Sequence, residues 1–194
     1  MMKQTLEQEY KQAKRKSAKP MLWVSMVSMT MMFAGLTSAY VVSRKRNDWV
    51  SFDLPQAFYI STLLIVLSSI TFMLAKYFIK QNNRPLTSAF LLSTLFLGIG
   101  FVFFQLEGFK ELLYAGLFFA GEQSTVKSSF IYGITIAHLA HVVAGIVVLL
   151  VVIFNHFNKK YTSENTLGLE LGAIFWHFVD ILWIYLFLFF YFIR

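Results

Sequence analysis

The sequence predicts an all-α integral membrane protein, a bundle of five transmembrane helices with the N-terminus inside and the C-terminus outside. Three observations predict it. Of 194 residues, 57% are hydrophobic and only 14% charged, with Phe alone at 22, whereas a soluble domain carries about a quarter charged residues. The apolar residues come in five blocks, each near the ~20 residues that cross a hydrocarbon layer of ~30 Å. Lys and Arg number eleven on one side of the blocks and six on the other, the excess lying in the first twenty residues, and the positive-inside rule reads this as N-in.

Residues 1–20, "MMKQTLEQEYKQAKRKSAKP", form a polar arm with six Lys/Arg, closed by Pro20. The reading is a basic cytoplasmic arm, with helical character at the surface. The five-helix domain occupies 21–194, with spans at about 21–43, 55–79, 86–106, 128–154 and 169–193. Pro55 and Pro85 suit helix starts, where a missing N–H costs no bond. A basic arm, an apolar core and "LTSA" at 36–39 loosely resemble a cleaved signal peptide, but the apolar run continues through Val41 and Val42 and is too long for a signal core. The loop at about 107–127 mixes apolar residues with both charge signs and predicts a short helix lying at the interface or packed over the bundle.

With the N-terminus inside, the inner side holds the six basic residues of the arm with Lys76, Lys80, Arg84, Lys159 and Lys160. The outer side holds Arg44, Lys45, Arg46, Lys110, Lys127 and Arg194. The excess favours N-in, C-out, against the local "SRKR" at 43–46. The net charge of +7 reads as inner loops facing anionic lipid rather than as nucleic-acid binding. Cysteine is absent, which excludes disulfides, thiolate metal sites, iron–sulfur clusters and thioether-linked haem. No phosphate loop, nucleophile elbow or H-E-x-x-H pattern supports a soluble-enzyme chemistry.

The informative residues are polar groups inside the apolar blocks. At 100° per residue, Glu170, Ala173, His177, Asp180 and Ile184 share one stripe of the fifth span, and Trp176 and Trp183 point elsewhere. A charge at mid-bilayer costs several kcal/mol, so the stripe is expected to face protein. On the fourth span, Gly133, Ala137, Ala140 and Ala144 follow one face that suits close helix contact, with His141 beside it and His138 further round. Small or polar sides recur elsewhere: Ser25, Ser28, Gly35 and Ser38; Thr62, Ser68, Ser69 and Thr71; Gly98, Gly100 and Gln105. Three readings follow. His138, His141 and His177 could ligate haem or copper, as in a membrane cytochrome. The acidic and imidazole groups could relay protons or bind an ion, as in a transporter, although no span carries the mid-helix break of many transporter sites. Or they pair across helices and hold the bundle, or lipid head groups, in place.

The motifs resemble a known family. "FWHFVDILWIYLF" at 175–187 is similar to the carboxy-terminal signature of subunit III of haem-copper cytochrome oxidases, through Glu170, Trp176, His177, Phe178, Val179, Asp180 and Trp183. "IAHLAHVVAG" at 136–145 resembles the family's paired-histidine segment, with Ala137 and Ala140 in place of glycines. "MFAGLTSAYVVSR" at 32–44, "LPQAFYISTLLIVLSSIT" at 54–71 and "FQLEGFKELL" at 104–113 follow in family order. The mitochondrial form has seven spans, and this chain resembles the five-span bacterial form. One departure stands out: the family often has a Ser-Glu pair before the Phe-Ala-Gly segment, and here Met29 follows Ser28, so no role resting on that carboxylate carries over.

The resemblance implies a non-catalytic, cofactor-free subunit in the bacterial plasma membrane, with haem and copper in partner subunits. It implies packing against the catalytic subunit I in a complex that also holds subunit II, support of proton uptake, protection of the centre from turnover inactivation, and phospholipid in a cleft. It leaves the electron donor open, since quinol oxidases and nitric-oxide-reductase-associated proteins carry related subunits, and it leaves docking into a larger respiratory supercomplex open. It makes no residue catalytic or metal-ligating; His138, His141, Glu170, His177 and Asp180 become candidates for helix cement or the lipid cleft.

Overall fold

The computed structural model describes residues 2–46, 49, 52–121, 124–161 and 166–193. They form five helices: α1 Met2–Ser43, α2 Gln56–Lys80, α3 Arg84–Tyr114, α4 Val126–Phe157 and α5 Leu167–Phe192. Each contains a stretch long and apolar enough to cross a membrane; in α1 that stretch is Lys16–Ser43. Among the described residues there is no named strand, only an isolated bridge between Phe118 and Ser124.

α1 does not stop at Pro20 but runs through it. Proline removes the bond to the carbonyl four residues back. That carbonyl belongs to Lys16, and both residues are exposed at the polar end of the helix, where water can accept the loss. The short interface helix expected near residue 107 is instead the last part of α3. α3 ends in a Schellman turn: Gly116 adopts φ 74°, Leu117 N donates to Leu112 O at 2.9 Å and Gly116 N to Leu113 O at 3.0 Å, which satisfies carbonyls the helix end leaves open.

The helix starts are capped in different ways. Asn83 accepts from Leu86 N ahead of α3, and Thr125 with Ser128 forms a capping box on α4. α2 begins after Pro55 with no side-chain cap of its own. Its first amides are taken by Glu111 of α3: Gln56 N donates to Oε2 at 2.7 Å and Ala57 N to Oε1 at 3.3 Å. A carboxylate at a helix N-terminus also complements the dipole.

α2, α3, α4 and α5 close into a ring of neighbours, and α1 packs on the outside against α4 and α5. Of the α1 side chains from residue 16 onward, only Met26, Phe33, Thr37 and Tyr40 are buried. Ser25, Ser28, Gly35 and Ser38 are exposed, so the small face expected to meet a neighbour meets none in this chain. The same holds on α4, where Ala140 and Ala144 are exposed and the packed face is built around His138, Val142, Gly145, Leu149 and Val152.

Candidate functional site

The polar residues of interest converge on α5, and the face it buries differs from the predicted stripe. Leu169, Gly172, Ala173, Trp176, Val179, Asp180, Leu182, Trp183, Leu186 and Phe190 are buried, while Glu170, His177 and Ile184 are only half-buried. Trp176 and Trp183, expected to point elsewhere, lie at the centre. In lipid an indole's carbon surface gains little from moving inward; its N–H, however, needs an acceptor. Hydroxyls on α2 supply one for each: Trp176 Nε1 donates to Ser68 Oγ at 3.1 Å and Trp183 Nε1 to Thr62 Oγ1 at 2.9 Å. The contact also needs room, which Gly98 of α3 provides: a Cβ there would stand 2.8 Å from the Trp176 ring.

Between these anchors the seam continues. His177 Nδ1 lies 2.6 Å from Ser69 Oγ, so this histidine joins α5 to α2. Asp180 is 2% exposed. Neither of its carboxyl oxygens has a hydrogen-bond partner. One helix over, Gln105 of α3 donates to Ser61 Oγ at 2.8 Å and Thr71 meets Thr94 at 2.8 Å.

The α4 histidines are not part of this seam. His138 is fully buried among rings, with centroids 5.1 Å from Trp183, 6.1 Å from Phe101 and 6.3 Å from Phe33. Neither of its nitrogens has a hydrogen-bond partner. His141 is half-buried and its Nδ1 lies 2.7 Å from the carbonyl of Ala137 on its own helix. Among the described residues, no three His, Cys, Asp or Glu side chains converge in a metal-holding group.

Glu170 sits at the other end of α5. It accepts from Lys19 Nζ of α1 at 2.9 Å and from Thr166 Oγ1 at 3.0 Å. Two residues escaped sequence reasoning. His156 of α4 is buried and bonded to Ser88 of α3 at 2.9 Å through Nε2; its place at a helix end made it look like a loop residue. Glu111 falls in the stretch at about 107–127 that the sequence assigns to the loop, and nothing local in it points to α2. Tyr161, between α4 and α5, packs against Gly168, and burial pushes its phenol above the ordinary value.

Apolar hollows flank α1. One of about 590 Å³ lies between Met21, Leu22 and Ser25 of α1 and Val148, Val151 and Phe175 of α4 and α5. A second, of about 390 Å³, lies between Thr30, Phe33 and Ala34 and the Phe178–Tyr185 stretch of α5. The α1 contacts fall at its ends and middle: Lys19 on Glu170, Phe33 against His138 and His141, Thr37 on Tyr185, and Tyr40 on the Ile193 carbonyl.

Comparison with known proteins agrees with this architecture. The family described as cytochrome c oxidase subunit III matches residues 1–194. The probable cytochrome c oxidase subunit 3 of Rickettsia prowazekii is 36% identical over 142 residues, covering 72% of this chain and 48% of the relative. The cytochrome c oxidase subunit 3 of Alkalihalophilus pseudofirmus is 27% identical over 155 residues, 80% of this chain and 73% of that one. The cytochrome bo(3) ubiquinol oxidase subunit 3 of Buchnera aphidicola is 28% identical over 175 residues, 88% of this chain and 90% of that one. The match thus spans about half the length of the Rickettsia relative and most of the Buchnera one. With five helices able to span a membrane and bacterial relatives of this kind, the chain is a multi-pass protein of the bacterial plasma membrane. Its helices, its α5 signature and its match over the full sequence make it a member of the cytochrome c oxidase subunit III family.

Proposed function

We propose that this chain serves as subunit III of a respiratory haem–copper terminal oxidase, a non-catalytic subunit that holds no haem or copper of its own. The observation that carries the reading is the family match over residues 1–194. The haem and copper would reside in its partners, with the chain packed against subunit I in a complex that includes subunit II, and phospholipid held between its helices. The complex would reduce oxygen and move protons across the membrane. Supporting the structural role, His177 and Glu170 spend their polar atoms on Ser69 and Lys19 of neighbouring helices. The apolar hollows beside α1 offer acyl chains a place to lie. The Lys/Arg distribution favours N-in, C-out, with residues 1–20 as a basic arm on the inner surface and 21–194 as the membrane domain.

A second reading has a specific observation behind it. The relative from Buchnera is named as a ubiquinol oxidase subunit and aligns over more of this chain than the cytochrome c oxidase relatives above, so a quinol donor is the alternative within the same complex type.

The test is a reduced-minus-oxidised optical spectrum of the tagged chain purified from its native membrane in mild detergent, with co-purifying polypeptides identified in the same sample. Haem bands that accompany a large partner, and leave with it in harsher detergent, are the expected result. Haem or copper retained by the isolated chain would overturn it. Turnover with reduced cytochrome c against quinol then decides the donor.

A further inference from the structure

The larger hollow beside α1 is one leaflet deep. Its wall on α4 is a single stripe, Ala144, Val147, Val148, Val151, Val152 and Asn155, which at 1.5 Å per residue runs about 16 Å. That matches half of the ~30 Å hydrocarbon layer. At the mid-membrane end α1 rejoins α4, where Phe33 packs on His141 with ring centroids 5.7 Å apart. At the other end the lining turns polar, with Asn155 and the buried Tyr161. α5 stands behind it through Leu171, Gly172 and Phe175. The side between α1 and α4 opens to lipid past the exposed Met21, Val147 and Val151.

A transmembrane helix of another chain does not suit this shape, because it needs the whole thickness and the hollow stops halfway. An acyl chain anchored in one leaflet does suit it. Charge then says which lipid. α1 continues past the hollow as one helix. At 100° per residue, Lys11, Lys14 and Arg15 fall on the line of α1 that carries Ala18, Met21, Leu22 and Ser25. Positions 14 and 15 lie about 5–6 Å beyond Ala18, the depth of the headgroup layer. Glu7, the acid on that line, is about 16 Å beyond Ala18 and outside the layer. On the α4 side, exposed Lys159 follows Asn155 by one turn and, at φ 56°, turns the chain back. Lys19, the remaining cation beside Ala18, is already held by Glu170.

We infer that this hollow binds one anionic phospholipid from the leaflet on the side of residues 1–20. One acyl chain lies along the α4 stripe, and the phosphate sits at the level of positions 14 and 15 of α1 and Lys159. Moving an acyl chain from bilayer to hollow gains little, since lipid tails are as apolar as the side chains that line it. Selectivity therefore comes from the head group, at about fivefold for each basic residue near the surface. The inference rests on the proposed phospholipid-holding role and adds the helices, the leaflet and the charge of the lipid.

Native mass spectrometry tests it, on the full-length chain released from nanodiscs of equal phosphatidylglycerol and phosphatidylethanolamine. Wild type is expected to retain one phosphatidylglycerol. Ala144→Phe with Val151→Phe fills the hollow and should lose that lipid, while Leu150→Phe, exposed on α4 away from the hollow, keeps it. The triple variant Lys14→Gln, Arg15→Gln and Lys159→Gln still binds lipid. Its ratio of retained phosphatidylglycerol to phosphatidylethanolamine should fall at least about fivefold, the worth of one basic residue. Equal retention by the filled variant would place the lipid elsewhere on the chain and overturn this site alone. A wild type that retains neither lipid, or both without preference, overturns it as well. Should the filled variant fail to fold, the triple Gln variant decides. Haem co-purification tests the oxidase reading separately, so the two can fail independently.

Discussion

Trp176 lies directly on Gly98, so closely that a Cβ on the glycine would stand 2.8 Å from the indole. The contact lets a side chain of α5 reach past α3 and bond Ser68 of α2. Overfilling a packed site of this kind costs about 1–3 kcal/mol. Gly98→Ala is expected to lower the thermal stability of the detergent-solubilised protein by that amount. Trp176→Phe, which vacates the crowded end of the ring, should make Gly98→Ala nearly harmless. A double-mutant cycle measures the coupling, and additive effects would show that the two residues do not touch.

Glu111 caps a helix that is not its own. Its carboxylate holds the first two amides of α2, and losing a cap costs about 0.5–2 kcal/mol. Glu111→Ala is expected to speed hydrogen exchange at Gln56 and Ala57 while leaving the middle of α2 unchanged. Equal exchange in the two proteins would mean that the cap is not used.

The Lys19–Glu170 pair is short at 2.9 Å, but Lys19 is half-exposed. Solvent and salt screen such a pair to about 0–1 kcal/mol. Lys19→Ala should therefore change stability by less than about 1 kcal/mol, and the charge-swapped pair Lys19→Glu with Glu170→Lys should behave like wild type. A larger loss in calorimetry would indicate that the pair holds α1 in place.

The two central histidines should respond in the opposite order to their burial. His138 is wholly enclosed and makes no hydrogen bond, so His138→Phe removes an unsatisfied polar group at little loss of shape and is expected to be neutral or stabilising. His177 is more exposed but tied to Ser69, and His177→Leu should cost about 0.6–1 kcal/mol of helix association, the usual worth of such a bond in a bilayer. Assembly yield and thermal midpoint of both variants check the order.

The lack of cysteine makes orientation simple to measure. Single cysteines at Lys45 and Lys159 should react with a membrane-impermeant maleimide from opposite sides, Lys159→Cys from the inside. Labelling of Lys45→Cys from the inside would reverse the proposed orientation.

Much of this fold is legible because bilayer thickness acts on each segment alone. Five apolar blocks of sufficient length must become helices, since lipid offers no partner for a free amide. The end of the third helix was less legible: Glu111 and Leu113 read as interface, and only their bonds across to α2 and along to Gly116 place them in α3. Face assignment failed more plainly. In a soluble helix the apolar side turns inward, but where the solvent is itself apolar that signal disappears, and polarity pointed to His177 while the centre went to Trp176 and Trp183.

The sequence by itself determined the membrane class, the number of helices and the residues able to carry a proton or a polar bond, because each follows from local length, charge and side-chain chemistry. Only the tertiary structure decided which of those residues meet. His177 finds Ser69, Glu170 finds Lys19, and Asp180 and His138 find no bonding partner. Partnership depends on the rotation and depth of one helix against another, and these are set by where an indole can find both a glycine to lie on and a hydroxyl to bond.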